Sequence, residues 1–264
     1  MSTRILITSD MHTGHRAGLI PPKYYGGGRE WIKKQEEKWE WFTNVLKEIG
    51  KIDCLVDLGD IVDGQGVKDS TETILDPNKQ IMSAVEIIET IGAPVNWFVH
   101  GTRVHTTTRD GLEIDLAVAS YVNGNDNPKI SGQLWLGYGD FILDFRHACS
   151  GKSMIKHTRA NPLLRERYHN ESEFLEGRQP LATHYFRGHS HYMFSAGEPN
   201  RWSGYSVPAL QSAKTKYGRI LSSVTHVGMG VLTINKGWPE WKVYEPKRKK
   251  AKVLDLLPKN RKKS

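Results

Sequence analysis

The sequence predicts an α/β fold in which two largely β halves pack face to face with helices outside. Three observations carry this. The first half of the chain alternates short apolar runs with stretches of helical period, a pattern that argues for parallel strands joined by helical crossovers. The second half is a succession of short strand-like runs around one basic, polar stretch. The chain has 264 residues, 38% of them apolar and 25% charged, which is enough for a full core.

Residues 3–9 read as a buried strand ending at Asp10. Residues 13–29 hold Pro21-Pro22 and Gly26-Gly27-Gly28, a loop longer than a plain connection needs, and such loops are often functional. Residues 30–49 have helical period: Trp39, Phe42, Leu46 and Ile49 form the inner stripe, and Lys33, Lys34, Glu36 and Glu37 face water. Trp31, Trp39 and Trp41 are read as packing residues rather than a platform for bases. A second strand, 52–58, ends at Gly59-Asp60. A helix over 77–91 gathers Ile81, Ala84, Val85 and Ile88 on one face. A third strand, 95–99, ends at His100-Gly101. Residues 110–122 are expected to be helical, with Leu112, Leu116 and Ala119 sharing a face.

The pattern then changes. Residues 133–136 and 141–145 resemble a hairpin around Gly137-Tyr138-Gly139-Asp140. A basic helix is expected over 155–176, followed by strands at 182–187, 192–195, 204–207, 224–234 and 240–244. There is no internal repeat. Residues 1–245 are expected to form a single domain, and 246–264 a disordered basic tail.

Nine of the 37 Lys and Arg residues, and one of the 29 acids, fall in 246–264. The tail therefore carries the whole net charge of +8, and the rest of the chain is neutral. Any attraction to polyanions would come from this tail and from local patches. No run approaches the roughly 18 apolar residues of a membrane span. The N-terminus passes into Ile5-Leu6-Ile7 too soon for a signal peptide, so a soluble, cytoplasmic protein with no membrane partner is expected. Cys54 and Cys149 form no C-x-x-C pair. Cys54 reads as a buried thiol, and a soft ligand at Cys149 would be out of keeping with the oxygen and nitrogen donors elsewhere.

Three motifs fall where strands end: Asp10-Met11-His12, Gly59-Asp60-Ile61-Val62-Asp63 and Gly188-His189-Ser190-His191. Asp and His together suit Mn²⁺, Fe²⁺ or Zn²⁺, and each oxygen of a carboxylate such as Asp60 can bind one of two cations. Extended backbone would point Asp10 and His12, and likewise His189 and His191, to one side. Asp63 is expected to support the ligands or to form a turn, since Asp63-Gly64 is also a plain turn signal. Asp57 could support Asp60 or simply end its strand. His147 ends the apolar run 141–145 as Arg146-His147 and is a further imidazole candidate.

In order and spacing these blocks resemble the calcineurin-like metallophosphoesterases over residues 4–235. The family pattern is D-x-H, G-D-x-x-D, G-N-H-D/E, a lone His, then G-H-x-H. The resemblance implies a four-layer α-β-β-α sandwich and a site for two divalent metal ions, manganese foremost, with iron, zinc or nickel also suited. It implies that Asp10, His12 and His191 hold one metal, that Asp60 bridges, and that His147 and His189 hold the second. The third block departs from the pattern, reading His100-Gly101-Thr102-Arg103-Val104-His105. Thr102 stands where the family has its metal-binding Asn, and Arg103 where it has its His. Some phage members look similar, with G-T and a His three residues on. Thr102 is therefore expected as a weak second-metal ligand and His105 as the catalytic His, with Arg103 holding the phosphate directly as the alternative.

The chemistry implied is in-line attack on phosphorus by a hydroxide that the metals activate. His105 would assist the departing alkoxide, and Arg103 or Arg109 would add charge. The substrate class expected is a nucleotide or nucleic-acid phosphodiester. Basic and aromatic residues cluster in the loop (His15, Arg16, Lys23, Tyr24, Tyr25) and at 152–169 (Lys152, Lys156, His157, Arg159, Arg165, Arg167), which suits a nucleotide backbone. Two alternatives are a phosphomonoesterase or protein phosphatase of the same fold, and a non-catalytic scaffold with an impaired second site.

Overall fold

Ile5 and Ile7 point one way from the first strand and Leu6 the other, and all three are buried. A strand apolar on both faces needs a layer on either side. The computed structural model supplies both; it describes residues 2–64, 72–108, 111–149, 158–212 and 225–247. β1 (Thr3–Thr8), β2 (Cys54–Asp57), β3 (Asn96–Val99) and the two-residue β4 (Ile130–Ser131) run parallel in one sheet. β5 (Gln133–Tyr138), β6 (Phe141–Arg146), β7 (His184–Arg187), β8 (Phe194–Glu198) and β9 (Trp202–Ser206) form a second sheet in the order β5-β6-β7-β9-β8. There β6, β7 and β9 are parallel, and β5 and β8 are antiparallel edges. The chain then returns to the first sheet with β10 (Met229–Ile234) and β11 (Glu240–Tyr244), completing the order β11-β10-β1-β2-β3-β4.

The sheets share a core in which Ile5, Ile7, Val56 and Val99 meet Leu143, Phe145 and Phe186. Phe145 and Phe186 stack with centroids 5.0 Å apart, and Trp241 of β11 reaches Tyr205 of β9 at 5.2 Å. On the far side of the first sheet lie α1 (Arg29–Ile49), α2 (Pro77–Ile91) and α4 (Ile114–Asn123), packed on Leu6, Leu55 and Phe98. On the far side of the second, α5 (Asn161–Leu175) sets Leu163 against Gly204. The layers therefore run α-β-β-α, as expected. Asp76 caps α2 by accepting from Lys79 N–H at 3.0 Å, with Pro77 following at the first helical position.

Several local expectations need correction. The helix expected over 110–122 begins at Ile114, because Leu112 is tied to Thr108 by Leu112 N–H on the Thr108 hydroxyl (2.9 Å) and Thr108 N–H on the Leu112 carbonyl (2.9 Å). Its buried face is Ile114, Asp115, Val118 and Ala119, while Leu112 and Leu116 stay exposed. In α1, Gln35 and Val45 join Phe42 and Ile49 inside, and Trp39 and Leu46 are only partly buried. Gln35 earns burial because its amide donates to the carbonyls of Arg16 (3.0 Å) and Gly26 (3.1 Å) and accepts from Gly26 N–H (3.0 Å), pinning the long loop. In the hairpin, Tyr138 pairs with Phe141, so only Gly139-Asp140 turn, with Gly139 at φ 57°. The strands expected at 192–195 and 204–207 are shifted, to Phe194–Glu198 and Trp202–Ser206. A one-turn helix, α3 (Arg103–Thr106), and a 3₁₀ turn at Pro22–Tyr24 were not anticipated. The expectations for the tail beyond Lys247, and for Arg109, Lys152, Lys156 and His157, fall outside the described residues.

Candidate metal centre

Every candidate ligand follows a parallel strand at its carboxyl end: Asp10 after β1, Asp60 after β2, Thr102 after β3, His147 after β6 and His189 after β7. Open α/β sheets bind ligands in the crevice at such ends. Here the two sheets end side by side and contribute to one cluster.

Asp10 and His12 do not converge through extended backbone. Asp10 has φ 52°, His12 44°, His189 60° and His191 53°, and Asp60 joins them at 51°. Left-handed backbone in a non-glycine residue costs roughly 1–2 kcal/mol, and such strain collects at functional sites. The surrounding hydrogen bonds impose it. Asp10, His12 and Thr13 donate their N–H groups to the carbonyls of Gly59 (3.0 Å), Asp60 (2.9 Å) and Ile61 (2.8 Å). This zips the segment after β1 to the one after β2.

The ligand atoms of Asp10, His12 and His191 lie within 4.8 Å of one another, as do those of Asp10, Asp60, His147 and His189, and those of His12, Asp60 and His105. Asp10 Oδ1 is 3.1 Å from His191 Nε2, and Asp10 Oδ2 accepts from His189 N–H at 2.9 Å and from the Ser9 hydroxyl. Asp60 accepts from Thr102 N–H (2.6 Å) and from the Thr102 hydroxyl (3.0 and 3.1 Å to its two oxygens), and His147 Nε2 lies 3.1 Å from its Oδ2. His147 Nδ1 donates to the Leu58 carbonyl at 2.7 Å, which turns its Nε2 toward Asp60 and toward His189 Nδ1, 3.2 Å away. Metal-binding imidazoles are commonly oriented by such a bond.

Both ring nitrogens of His12 are buried without a hydrogen-bond partner, although Asp10 Oδ1 and Asp63 Oδ1 stand 3.8 and 3.6 Å away. A buried polar atom without a partner is costly. A cation between these oxygen and nitrogen donors would satisfy them, so the residues fit divalent metals of the Mn²⁺, Fe²⁺ and Zn²⁺ kind. Burial pushes the His12 imidazolium down, but Asp10, Asp63 and Asp60 outweigh it and raise it to about 10. Burial likewise opposes a charged His147, yet Asp60 and Asp10 raise it to about 9. Asp60 is pushed up by burial and pulled down to about 2 by His147 and His12. A cation binding among these groups would compete with protons on His12 and His147.

His105 turns toward the cluster. Its ring meets that of His12 edge-on at 4.5 Å, and its Nδ1 donates to the Asp63 carbonyl at 2.6 Å. Burial, then the charge of His12, lowers its pKa. Arg103, two residues earlier on the same turn, is exposed. Cys149 belongs to no metal-like cluster among the described residues. Of the basic residues around the site, His15 and Arg16 hold the buried Glu72, at 3.6 and 2.6 Å, and Lys23 lies over Tyr24 at 5.5 Å. Arg159 lies over Tyr192 at 5.2 Å. Arg167 bonds the Ala182 carbonyl and Glu171, and Arg165 is exposed.

Sequence reasoning missed several supporting groups. Asp115 accepts from Gly101 N–H at 2.9 Å and holds the turn after β3. The Ser9 hydroxyl holds Asp10. Asp57, by contrast, was read from the sequence either as a support for Asp60 or as a strand end; it accepts from Thr8 and from Gly59 N–H (2.9 Å), which shapes the turn that presents Asp60. One signal was available: Gly59, Gly101 and Gly188 stand next to ligand candidates or their turns. A Cβ on Gly101 would sit 2.2 Å from Asp60 Oδ1, and one on Gly188 would sit 2.0 Å from Ser9 Oγ. Ser9 and Asp115 carry no comparable mark.

No helix among the described residues is long and apolar enough to cross a membrane. No family model matches the chain, and no curated protein does. Among solved structures it is similar to an archaeal phosphodiesterase, at 12% identity over 92% of this chain and 100% of that one, with a TM-score of 0.49. It is also similar to a dimetal phosphatase from Danio rerio, at 7% identity over 92% and 96% of the two chains, with a TM-score of 0.48. A third is Vps29 from Entamoeba histolytica, at 14% identity over 93% and 100%, with a TM-score of 0.46.

Proposed function

We propose that the chain is a metal-dependent phosphoesterase, and within that class a phosphodiesterase that uses two divalent cations on a nucleotide or nucleic-acid backbone. One observation carries this reading. Asp10 belongs both to the Asp10–His12–His191 cluster and to the Asp10–Asp60–His147–His189 cluster, so two ligand sets meet at one carboxylate. Adjoining oxygen and nitrogen sets of this kind suit a two-metal hydrolase.

In this reading Asp10, His12 and His191 hold one cation, and Asp60, His147 and His189 hold the other, with the Thr102 hydroxyl beside Asp60. Cations bound there supply an activated water and positive charge at the phosphoryl oxygens. Thr102 fixes Asp60 through its N–H and its hydroxyl. The Asp63 carbonyl holds the Nδ1 proton of His105, so Nε2 is the free ring nitrogen, which takes up a proton to give the imidazolium and hands that proton to the departing oxygen. Arg103, exposed at the head of α3, adds charge for a phosphate arriving from solvent. The tail's charge of +8 favours a polyanionic substrate.

Hydrolysis of a bis-aryl phosphodiester and of an aryl phosphomonoester, each with Mn²⁺ and again after chelation, tests this. Diester turnover that exceeds monoester turnover and vanishes with chelator is the expected result. A preference for the monoester would move the protein to the phosphatases. Metal binding without turnover on either ester, or on single-stranded DNA or RNA, would make it a scaffold.

A further inference from the structure

A single carboxylate oxygen ties together the two strands that deliver one half of the candidate centre. β6 and β7 are parallel neighbours, with Arg146 directly opposite Arg187. His147 follows Arg146 by one residue, and His189 follows Arg187 by two. Two like charges side by side on adjacent strands repel, and Arg187 is only 1% exposed.

Glu166 of α5, itself 3% exposed, enters between them. Its Oε2 accepts from Arg187 Nε (3.2 Å) and Nη2 (2.9 Å) and lies 3.5 Å from Arg146 Nη1. Asp144 closes the other side of the Arg187 guanidinium, Oδ2 to Nη2 at 2.7 Å, and its carbonyl accepts from Nη1 at 3.0 Å. Gln133 of β5 holds the second oxygen of Asp144 at 2.8 Å. The fifth N–H goes from Nη1 to the Phe186 carbonyl at 2.9 Å, so the guanidinium is saturated and its orientation fixed.

The position of this network matters more than its strength. A buried ion cluster is often no more stabilising than apolar residues of the same volume. This one lies where β6 and β7 end. The last backbone bond between the two strand ends runs from Gly188 N–H to the His147 carbonyl at 2.8 Å. Beyond it the chain turns left-handed at His189, and His147 Nε2 and His189 Nδ1 stand 3.2 Å apart. The spacing of the two imidazoles therefore depends on the spacing of the two strand ends, alongside the bonds that Leu58 and Asp10 make to them from the first sheet.

We propose that Glu166 is a positioning residue for the His147–His189 half of the metal centre, holding the ends of β6 and β7 at the separation these two rings need to share a cation. The proposal rests on the reading of this cluster as a binding site for divalent cations.

The test is Mn²⁺ titration by calorimetry of the full-length protein after chelation, comparing wild type with Glu166→Gln, with His189→Ala included to mark the sites belonging to this half. Amide replacement keeps the volume and removes the charge. The expected result is a roughly 10–100-fold weaker affinity for the class of site that His189→Ala abolishes, with the other class unchanged. Should Glu166→Gln not fold, Arg146→Gln, at a side chain 38% exposed, cuts only the β6 arm of the tie and is expected to weaken the same class. Two unchanged affinities beside a lowered melting temperature would overturn the proposal, because Glu166 would then only stabilise the fold. Equal weakening of both classes would overturn it as well. A wild-type protein that binds no Mn²⁺ would instead remove the metal reading itself, before any variant is compared.

Discussion

Asp10 Oδ1 lies 3.1 Å from His191 Nε2, although 181 residues separate them in the chain. The other oxygen of Asp10 accepts the N–H of His189. One carboxylate from the first sheet therefore fixes the ring of one candidate ligand and the backbone of another, both from the second sheet. Asp10→Asn keeps the shape and removes the charge. Diester hydrolysis with Mn²⁺ is expected to fall at least ~100-fold, with weaker metal binding by calorimetry. Unchanged metal affinity would show that Asp10 is structural alone.

For His105 the expectation is a split between chemistry and binding. The ring touches His12 and shares a cluster with His12 and Asp60, while its Nδ1 is anchored on the Asp63 carbonyl. His105→Gln should lower kcat by roughly 10²–10⁴-fold and leave metal content intact. Loss of metal in this variant would move His105 from proton transfer to ligation.

Thr102 gives its hydroxyl to both oxygens of Asp60. Hydrogen bonds to charged groups are worth about 1.5–3 kcal/mol. Thr102→Ala should therefore weaken Mn²⁺ binding by about tenfold or more, read by calorimetry. If the affinity does not move, the backbone N–H of residue 102 alone is enough to hold Asp60.

A pH-dependent term is expected from Asp115. Burial raises its pKa to about 7, with Asp60 adding to the effect. In the unfolded chain an aspartate titrates near 4. Between those values the folded protein keeps a proton that the unfolded chain has lost. The contribution of this group is then full below about pH 4, falls as the pH rises toward 7, and stays low above it. Asp115→Asn removes the penalty. Relative to wild type in chelator, its stability should improve by about 1–4 kcal/mol between pH 5 and pH 8. A difference that stays constant across that range in denaturation curves would refute this.

Gly101→Ala tests the packing of the β3 turn. Its Cβ would meet Asp60 at Oδ1 (2.2 Å), N (2.3 Å) and Cα (3.0 Å), mostly backbone or anchored atoms. Overpacking of this kind costs roughly 1–3 kcal/mol, and Asp60 should be displaced. Urea denaturation and diester turnover should both report the loss, whereas a variant matching wild type in both would mean that the turn has room to shift.

Much of the layer order was legible in the sequence because it depends on periodicity. Ile81, Ala84, Val85 and Ile88 fall on one face at helical spacing, and Ile5-Leu6-Ile7 reads as a buried strand. What failed depended on tertiary contacts. Leu112 and Leu116 had a plausible helical spacing, but the bonds between Thr108 and Leu112 delay the helix by about a turn and rotate its inner face. The site residues could be named because Asp and His are conspicuous after apolar strands. Their backbone conformation could not, because left-handed turns at Asp10 and His12 follow from bonds to Gly59 and Asp60, some 50 residues away. Arg187, Asp144 and Glu166 looked like ordinary polar positions in a strand and a helix, and nothing in their spacing marks them as one buried network.

The stacked pair Phe145–Phe186 and the contact between Tyr205 and Trp241 lie in the apolar seam between the two sheets. Asp10 and Asp60 ride on one side of that seam, and His147, His189 and His191 on the other. Any sliding of one slab past the other would change distances within the cluster almost ångström for ångström. The geometry of the cluster is then a matter of shear stiffness. The contacts of Trp241 with Phe186 and Tyr205, which cross from one sheet to the other, are the alignment rail of the cluster.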